Sequence, residues 1–213
     1  MYKKILAIDT SMDGCSVSLL KNHDILHNSK VCKKNHTKEI LPMIQTVLTE
    51  LKLKINELDI VIFSKGPGYF TGIRLSFCIA KTFTIGNKLK IIGISTLAIL
   101  AEQAWRKYNS KKVLVAIHAN QKKIYWAEYI RDMHGIWKGE NTESCITIQQ
   151  ANIRICKLSE IWTTAGNAWE KINHKNKFLS TKIFFSNSKD LLNVYLSLKI
   201  KNTISKIQYF QYI

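Results

Sequence analysis

Gly66, Pro67 and Gly68 separate an apolar run, Ile60–Phe63, from the helix-like run that follows. Strand, glycine turn, helix is an arrangement that aims unpaired backbone N–H groups at one point, where an anion can sit. The two glycines permit backbone angles that other residues resist, and Pro67 stiffens the turn between them. On this reading Gly66, Gly68 and Thr71 line a ligand site. Arg74, in the first turns of the helix, reaches toward a ligand or a partner. The bland alternatives are plain turn punctuation and an Arg74 held in a surface salt bridge.

The helix behind the turn carries a second signal. Ile73, Leu75, Phe77, Cys78, Ile79, Ala80 and Phe83 are apolar on nearly every side. A helix apolar all round is buried on more than one face. Gly72, Ser76 and Ala80 form a row of small residues at spacing four, which lets another helix approach closely. This helix is therefore expected to lie between its own sheet and a partner helix. An ordinary core helix is the competing reading.

Other chemistries find little support. Five cysteines, at positions 15, 32, 78, 145 and 156, form no C-x-x-C, so neither a disulfide framework nor a zinc knuckle is suggested. His23 and His27 have the i, i+4 spacing of a helical metal site, but Asn22, His23 and Asp24 read as a hairpin turn into a strand. Four residues along a strand span roughly 13 Å, too far for one ion. No metal is expected on this chain. The net charge is +17, which suggests nucleic acid or an acidic partner. Yet only Arg74, Arg106, Arg131 and Arg154 supply guanidinium groups, the type favoured for bidentate phosphate contacts. No apolar run reaches the roughly 18 residues of a membrane span. The basic-then-apolar start ends on Asp9, too early for a signal peptide, so a cytoplasmic protein is expected.

The elements that must position these residues follow from periodicity. Strands are expected at Ile5–Ile8, Cys15–Leu20, Ile25–Ser29, Asp59–Ser64 and Lys90–Ile94. Helices are expected over Thr37–Leu51, over the run behind the glycine turn, and over Ser95–Tyr108, with Pro42 in the early part of the first. Ile40, Ile44, Val47, Leu48 and Leu51 share one face of that helix. The order is β-β-β-α-β-α-β-α, a mixed sheet with helices on its faces. This is the ribonuclease-H-like order of the actin/Hsp70/sugar-kinase (ASKHA) superfamily, an α/β fold. A hairpin over Val113–Ile117 and Ile124–Ile130 and a short strand at Ile136–Lys138 follow. Beyond residue 140 the pattern degrades, leaving a strand at Ile161–Ala165 and a helix at Leu191–Leu198. Residues 1–108 are expected as an N-terminal lobe that dimerises, and 109–213 as a reduced second lobe.

The stretches Ile5–Ser11, Cys15–Leu19, His36–Ile44, Gly66–Arg74, Ile92–Leu97 and Ile124–Tyr129 together resemble the TsaB (YeaZ) family, gamma-proteobacterial members above all. The resemblance is close over residues 3–140 and loose beyond. It implies a part in making N6-threonylcarbamoyladenosine at position 37 of tRNAs that read codons beginning with A. It implies pairing with TsaD, a metal-bearing homologue that transfers the threonylcarbamoyl group, docking of a TsaE-type ATPase on the pair, and tRNA contact through the complex. It also implies a homodimer on the same surface when the chain is alone. No cofactor is expected to bind this chain tightly; ATP or ADP would lie at the heterodimer interface, and the metal on TsaD. The partner surface would then comprise Gly72, Ile73, Ser76, Phe77 and Ala80 with Ile40, Ile44 and Val47 beside them.

TsaD-like proteins carry His-x-x-x-His after the fifth strand, and the matching positions here are Thr96 and Leu100. Neither side chain supplies the ligands that a divalent metal needs. The resemblance therefore implies a pseudoenzyme subunit with no catalytic residue. In the superfamily an Asp ending the first strand commonly lies near nucleotide phosphates; Asp9 with Thr10, Ser11 and Asp13 is read instead as a turn. Tyr69 stands where the family usually has Ser, His118-Ala-Asn120 where Asp-Ala-Arg is usual, and Gly166-Asn167 where Gly-x-Gly is usual. Tyr209–Ile213 resembles the family's closing segment without its Pro and Arg. The alternative reading is an independent kinase-like ATPase or peptidase.

Overall fold

In the computed structural model, which describes residues 3–33, 35–172 and 178–200, the elements in chain order are β1 (Ile5–Asp9), β2 (Gly14–Lys21), β3 (Asp24–Val31), α1 (His36–Glu50), β4 (Ile60–Gly66), α2 (Phe70–Thr84), β5 (Lys90–Ser95) and α3 (Thr96–Tyr108). There follow β6 (Lys112–His118), β7 (Lys123–Arg131), β8 (Trp137–Lys138), β9 (Ser144–Thr147), α4 (Ile148–Lys157), β10 (Thr163–Ala165) and α5 (Ser188–Ile200). The chain divides into two compact units. The first runs to Thr96 and resumes at Ser186; the second is Leu97–Phe185.

The first unit has a five-stranded sheet in the order β3-β2-β1-β4-β5. The hairpin strands β1, β2 and β3 pair antiparallel, while β4 and β5 join parallel beside β1. This is the mixed sheet that the element order requires, because each crossover helix returns its strand parallel. All five residues of β1 are buried, as a central strand covered on both faces must be. On one face Leu6, Ile8, Val17, Leu19, Val61 and Phe63 pack against α1 and α2. Helix α5 packs against the same sheet.

The helix expected near Thr37–Leu51 forms and runs unbroken through Pro42. Its buried residues, Ile40, Met43, Ile44, Val47 and Leu48 among them, recur at the helical period.

The second unit has a sheet in the order β10-β6-β7-β8, with β9 also paired to β7. Its core gathers Leu114, Trp126, Ile146, Ile155, Trp162 and Trp169, with the rings of Trp126 and Trp169 tilted at 5.7 Å. The division falls at Thr96 and not at the expected residue 108, because α3 is tied into the second unit. Its Glu102 bonds Arg131 of β7. The expected boundary also missed the return of α5 to the first unit. The closing segment Tyr209–Ile213 lies outside the described residues.

Two elements, β9 and α4, arose where the sequence pattern was read as degraded. Their signal was present. Thr147 and Gln150 form a capping box: Gln150 N–H donates to Thr147 Oγ1 at 3.2 Å, and Thr147 N–H donates to Gln150 Oε1 at 2.9 Å. A threonine followed three residues on by glutamine marks a helix start. Thr147→Ala is expected to cost about 1 kcal/mol, read as a lower urea midpoint. An unchanged midpoint would assign the helix's stability to packing alone.

Candidate partner interface

The glycine turn is closed against the β1–β2 turn. A Cβ at Gly68 would lie 2.2 Å from the Ser11 carbonyl oxygen, and one at Gly72 would lie 1.9 Å from that of Thr10. Tyr69 N–H donates to Ser11 O at 2.7 Å, and Thr10 Oγ1 donates to Gly72 O at 2.7 Å. Gly66 has φ +95°, a conformation that favours glycine. The glycines therefore serve close backbone packing. The Ser11 carbonyl takes up the Tyr69 amide, so that donor is not open to an anion.

Asp9 makes a turn. Its Oδ1 accepts from Ser11 N–H at 3.0 Å and from Ser11 Oγ at 2.8 Å. Ser11 Oγ also contacts Ser186 Oγ at 3.1 Å. Asp9 Oδ2 is buried with no hydrogen-bond partner among the described residues.

The small-residue row turns inward. Gly72, Ser76 and Ala80 are buried, and Ser76 Oγ donates to Ile73 O at 3.0 Å and to Ser64 O at 3.3 Å. Ile40, Ile44 and Val47 lie in the core with Leu6, Ile8 and Val17. Ile73 and Phe77 are half-buried, and Phe77 packs against Phe63 at 5.6 Å. These residues do not form an accessible partner surface. The row does permit a close approach, but to the chain's own β1–β2 turn and β4. Spacing alone cannot say which neighbour does the approaching. Ser76→Arg would bury an unpaired charge in the core, so it would unfold the chain and not merely block a partner.

The face that α1 and α2 present outward is a different set. Phe70 on α2 is 68% exposed and Leu41 on α1 55%, and Tyr69, Thr71, Arg74, Cys78 and Lys81 are exposed at and along α2. The Arg74 guanidinium lies 3.7 Å above the Phe70 ring, a cation–π contact. Arginine and aromatic side chains of this kind are the types that anchor protein interfaces. Between the two helix N-termini opens a groove of about 500 Å³, lined by Asp13, Lys33, His36, Thr37, Tyr69 and Leu75 among others. His36 Nε2 donates to Met12 O at 2.7 Å, fixing the ring, and Tyr69 OH donates to Asp13 Oδ2 at 3.2 Å. Burial, and then the Asp13 carboxylate, raise the Tyr69 pKa. Tyr69, the residue that departs from the family's usual Ser, is thus part of the groove wall. Phe70 and Leu41 escaped the sequence reading. Their signal was an apolar residue off the buried stripe of each helix.

The remaining candidates are placed as follows. His23 lies in the β2–β3 turn, and His27 on β3 contacts Ser18 Oγ through Nδ1 at 2.8 Å. Among the described residues no group of three or more His, Cys, Asp and Glu side chains is placed to share a metal ion. All five cysteines are free. Thr96 and Leu100 are both fully buried. In the second unit, His118 N–H donates to Asn167 Oδ1 at 3.0 Å, joining the two stretches in which the family pattern is altered. No described helix is long and apolar enough to cross a membrane.

Comparison with known proteins agrees with this organisation. The family model of TsaD, tRNA N6-adenosine threonylcarbamoyltransferase, matches residues 24–205. The tRNA threonylcarbamoyladenosine biosynthesis protein TsaB of Buchnera aphidicola subsp. Schizaphis graminum is 48% identical over 190 residues, covering 88% of this chain and 90% of that protein. The Escherichia coli protein of the same name is 40% identical over 167 residues, covering 78% and 72%. Among solved structures, YeaZ from Pseudomonas aeruginosa shares the fold, with a TM-score of 0.85 at 24% identity over 99% of this chain and 100% of that one. The expected β-β-β-α-β-α-β-α mixed sheet is therefore the observed one, in the fold that YeaZ shares. By model match and by identity over most of its length, the chain belongs to the TsaB family of tRNA threonylcarbamoyladenosine biosynthesis proteins, within the group that the TsaD model describes.

Proposed function

We propose that this chain is a non-catalytic, activating subunit that pairs with a TsaD-type transferase in forming N6-threonylcarbamoyladenosine at position 37 of tRNAs reading codons that begin with A. Membership of the TsaB family supports a place in this biosynthesis. The observation that carries the pairing is the outward α1–α2 face, where Phe70 and Tyr69 on α2's N-terminal end and Leu41 on α1 expose apolar surface, Phe70 under the Arg74 guanidinium. Exposed aromatic and aliphatic side chains grouped around an arginine are what a partner covers. The non-catalytic role is supported by Thr96 and Leu100, which stand where the resemblance puts the transferase's two metal-binding histidines. A buried hydroxyl and a buried isobutyl group cannot bind a divalent ion in their place.

On this reading the metal and the group transfer belong to the transferase. A TsaE-type ATPase docks on the pair, and tRNA is contacted through the complex. This chain's own residues supply the surface that holds the transferase. The second reading, an independent ATPase or peptidase, would require turnover by the isolated chain.

The test is reconstitution. Unmodified tRNA is incubated with threonylcarbamoyl-adenylate synthase, the TsaD-type transferase, the TsaE-type ATPase and ATP, with and without this chain, and the modified nucleoside is quantified by mass spectrometry. Modification is expected only when the chain is present. Equal modification without it would overturn the role, and hydrolysis of ATP by the chain alone would favour the second reading.

A further inference from the structure

The outward α1–α2 face is charged as well as apolar, and the charge has one sign. Lys33 just before α1, Lys38 in its first turn, and Arg74 and Lys81 along α2 are all exposed. The carboxylates near them are otherwise engaged or distant. Asp13 is half-buried and accepts from Tyr69. Glu39 is half-buried and paired with Lys30 at 2.8 Å. Glu50 is at the far end of α1. Arg74 and Lys81 are two helical turns apart and flank Cys78 on one stripe with Phe70.

We propose that this face selects a different protein, one with an apolar centre and a carboxylate rim, and acts against a second copy of this chain. The inference rests on the reading that the face pairs with a TsaD-type transferase, and names the chemistry that the transferase must present. A two-fold contact between identical copies sets one patch against itself, so the cations of each copy would face a patch that carries the same cations. Like charges brought together at an interface suppress the wrong partner, and opposite charges steer the right one. The apolar residues supply affinity for either partner; the cations decide between them.

The chain, the transferase and the double variant R74E/K81E are measured by sedimentation velocity and calorimetry at about 50 and about 500 mM NaCl, where screening lengths differ about threefold. Both substitutions are at exposed positions, and circular dichroism checks the fold. Pairing of the wild-type chain with the transferase is expected to weaken about tenfold at the higher salt. Reversing the two charges should weaken it by about fivefold per charge at the lower salt. Wild-type chain alone should self-associate less at low salt than at high salt. An equimolar mixture of wild-type and R74E/K81E chains should form a 1:1 dimer more tightly than either does alone. Transferase pairing that is indifferent to salt, or a wild-type homodimer that tightens at low salt, overturns the charge selection while leaving the pairing intact. If the transferase binds at neither salt, the pairing reading itself falls. The wild-type–variant mixture then decides the charge selection by itself: preferential 1:1 assembly sustains it, and no assembly overturns it.

Discussion

Phe70→Asp is expected to weaken pairing with the TsaD-type transferase by roughly 30-fold or more while leaving thermal unfolding of the chain unchanged. Truncation of a central aromatic anchor costs about 2 kcal/mol or more, and each 1.4 kcal/mol is about tenfold in Kd. Phe70 fits that description because it opens α2, is 68% exposed, and is held in place by the Arg74 guanidinium 3.7 Å above its ring. Aspartate removes the ring, leaves Arg74 without its platform, and sets a charge where apolar surface must be covered. It should not harm the helix, because an acidic residue in the first turn of α2 interacts favourably with the helix dipole. The two readouts must separate: calorimetric Kd changes and Tm does not. A variant that binds normally would remove α2's N-terminus from the interface. One that unfolds would show that Phe70 belongs to the core.

The contrast between Phe70 and Ser76 shows what was legible in the sequence. The β-β-β-α-β-α-β-α order was readable because its strands are short apolar runs broken by turns, and because α1 repeats at the helical period. The buried stripe Ile40, Ile44 and Val47 was equally plain. What the pattern could not supply is the identity of the neighbour. Gly72, Ser76 and Ala80 announce that something comes close, and the Thr10 carbonyl, 1.9 Å from a Cβ at Gly72, shows that the close neighbour is the chain itself. Tertiary contact of this kind involves residues some 60 positions apart, which local spacing does not encode. Asp9 was legible as a turn, since its Oδ1 bonds two residues ahead as short polar side chains do. The boundary at residue 108 failed for the same reason as the small-residue row. Nothing in the α3 sequence tells that Glu102 will find Arg131.

That buried pair carries the largest expected effect on stability. Arg131 Nη1 donates to Glu102 Oε2 at 2.7 Å, and Trp137 Nε1 donates to the same oxygen at 2.7 Å. The side chains of Arg131 and Glu102 are only 13% and 6% exposed. The guanidinium also lies 4.8 Å from the Trp105 ring and 5.6 Å from that of Trp137. Removing one member of a buried ion pair leaves the other charge desolvated and unpaired, at a cost of about 3–5 kcal/mol. Glu102→Ala should therefore destabilise the second unit by that amount, enough to lower its Tm by more than roughly 10 °C. Glu102→Gln keeps an acceptor for the Trp137 indole and should cost less. The double variant E102M/R131M should be more stable than E102A, because no charge is then stranded. Chemical unfolding of the four proteins, followed by tryptophan fluorescence, ranks them. The same ranking separates charge stranding from simple loss of packing: if E102M/R131M is no more stable than E102A, the guanidinium in the tryptophan cage is held by its stacking, and the Glu102 carboxylate contributes only a hydrogen bond.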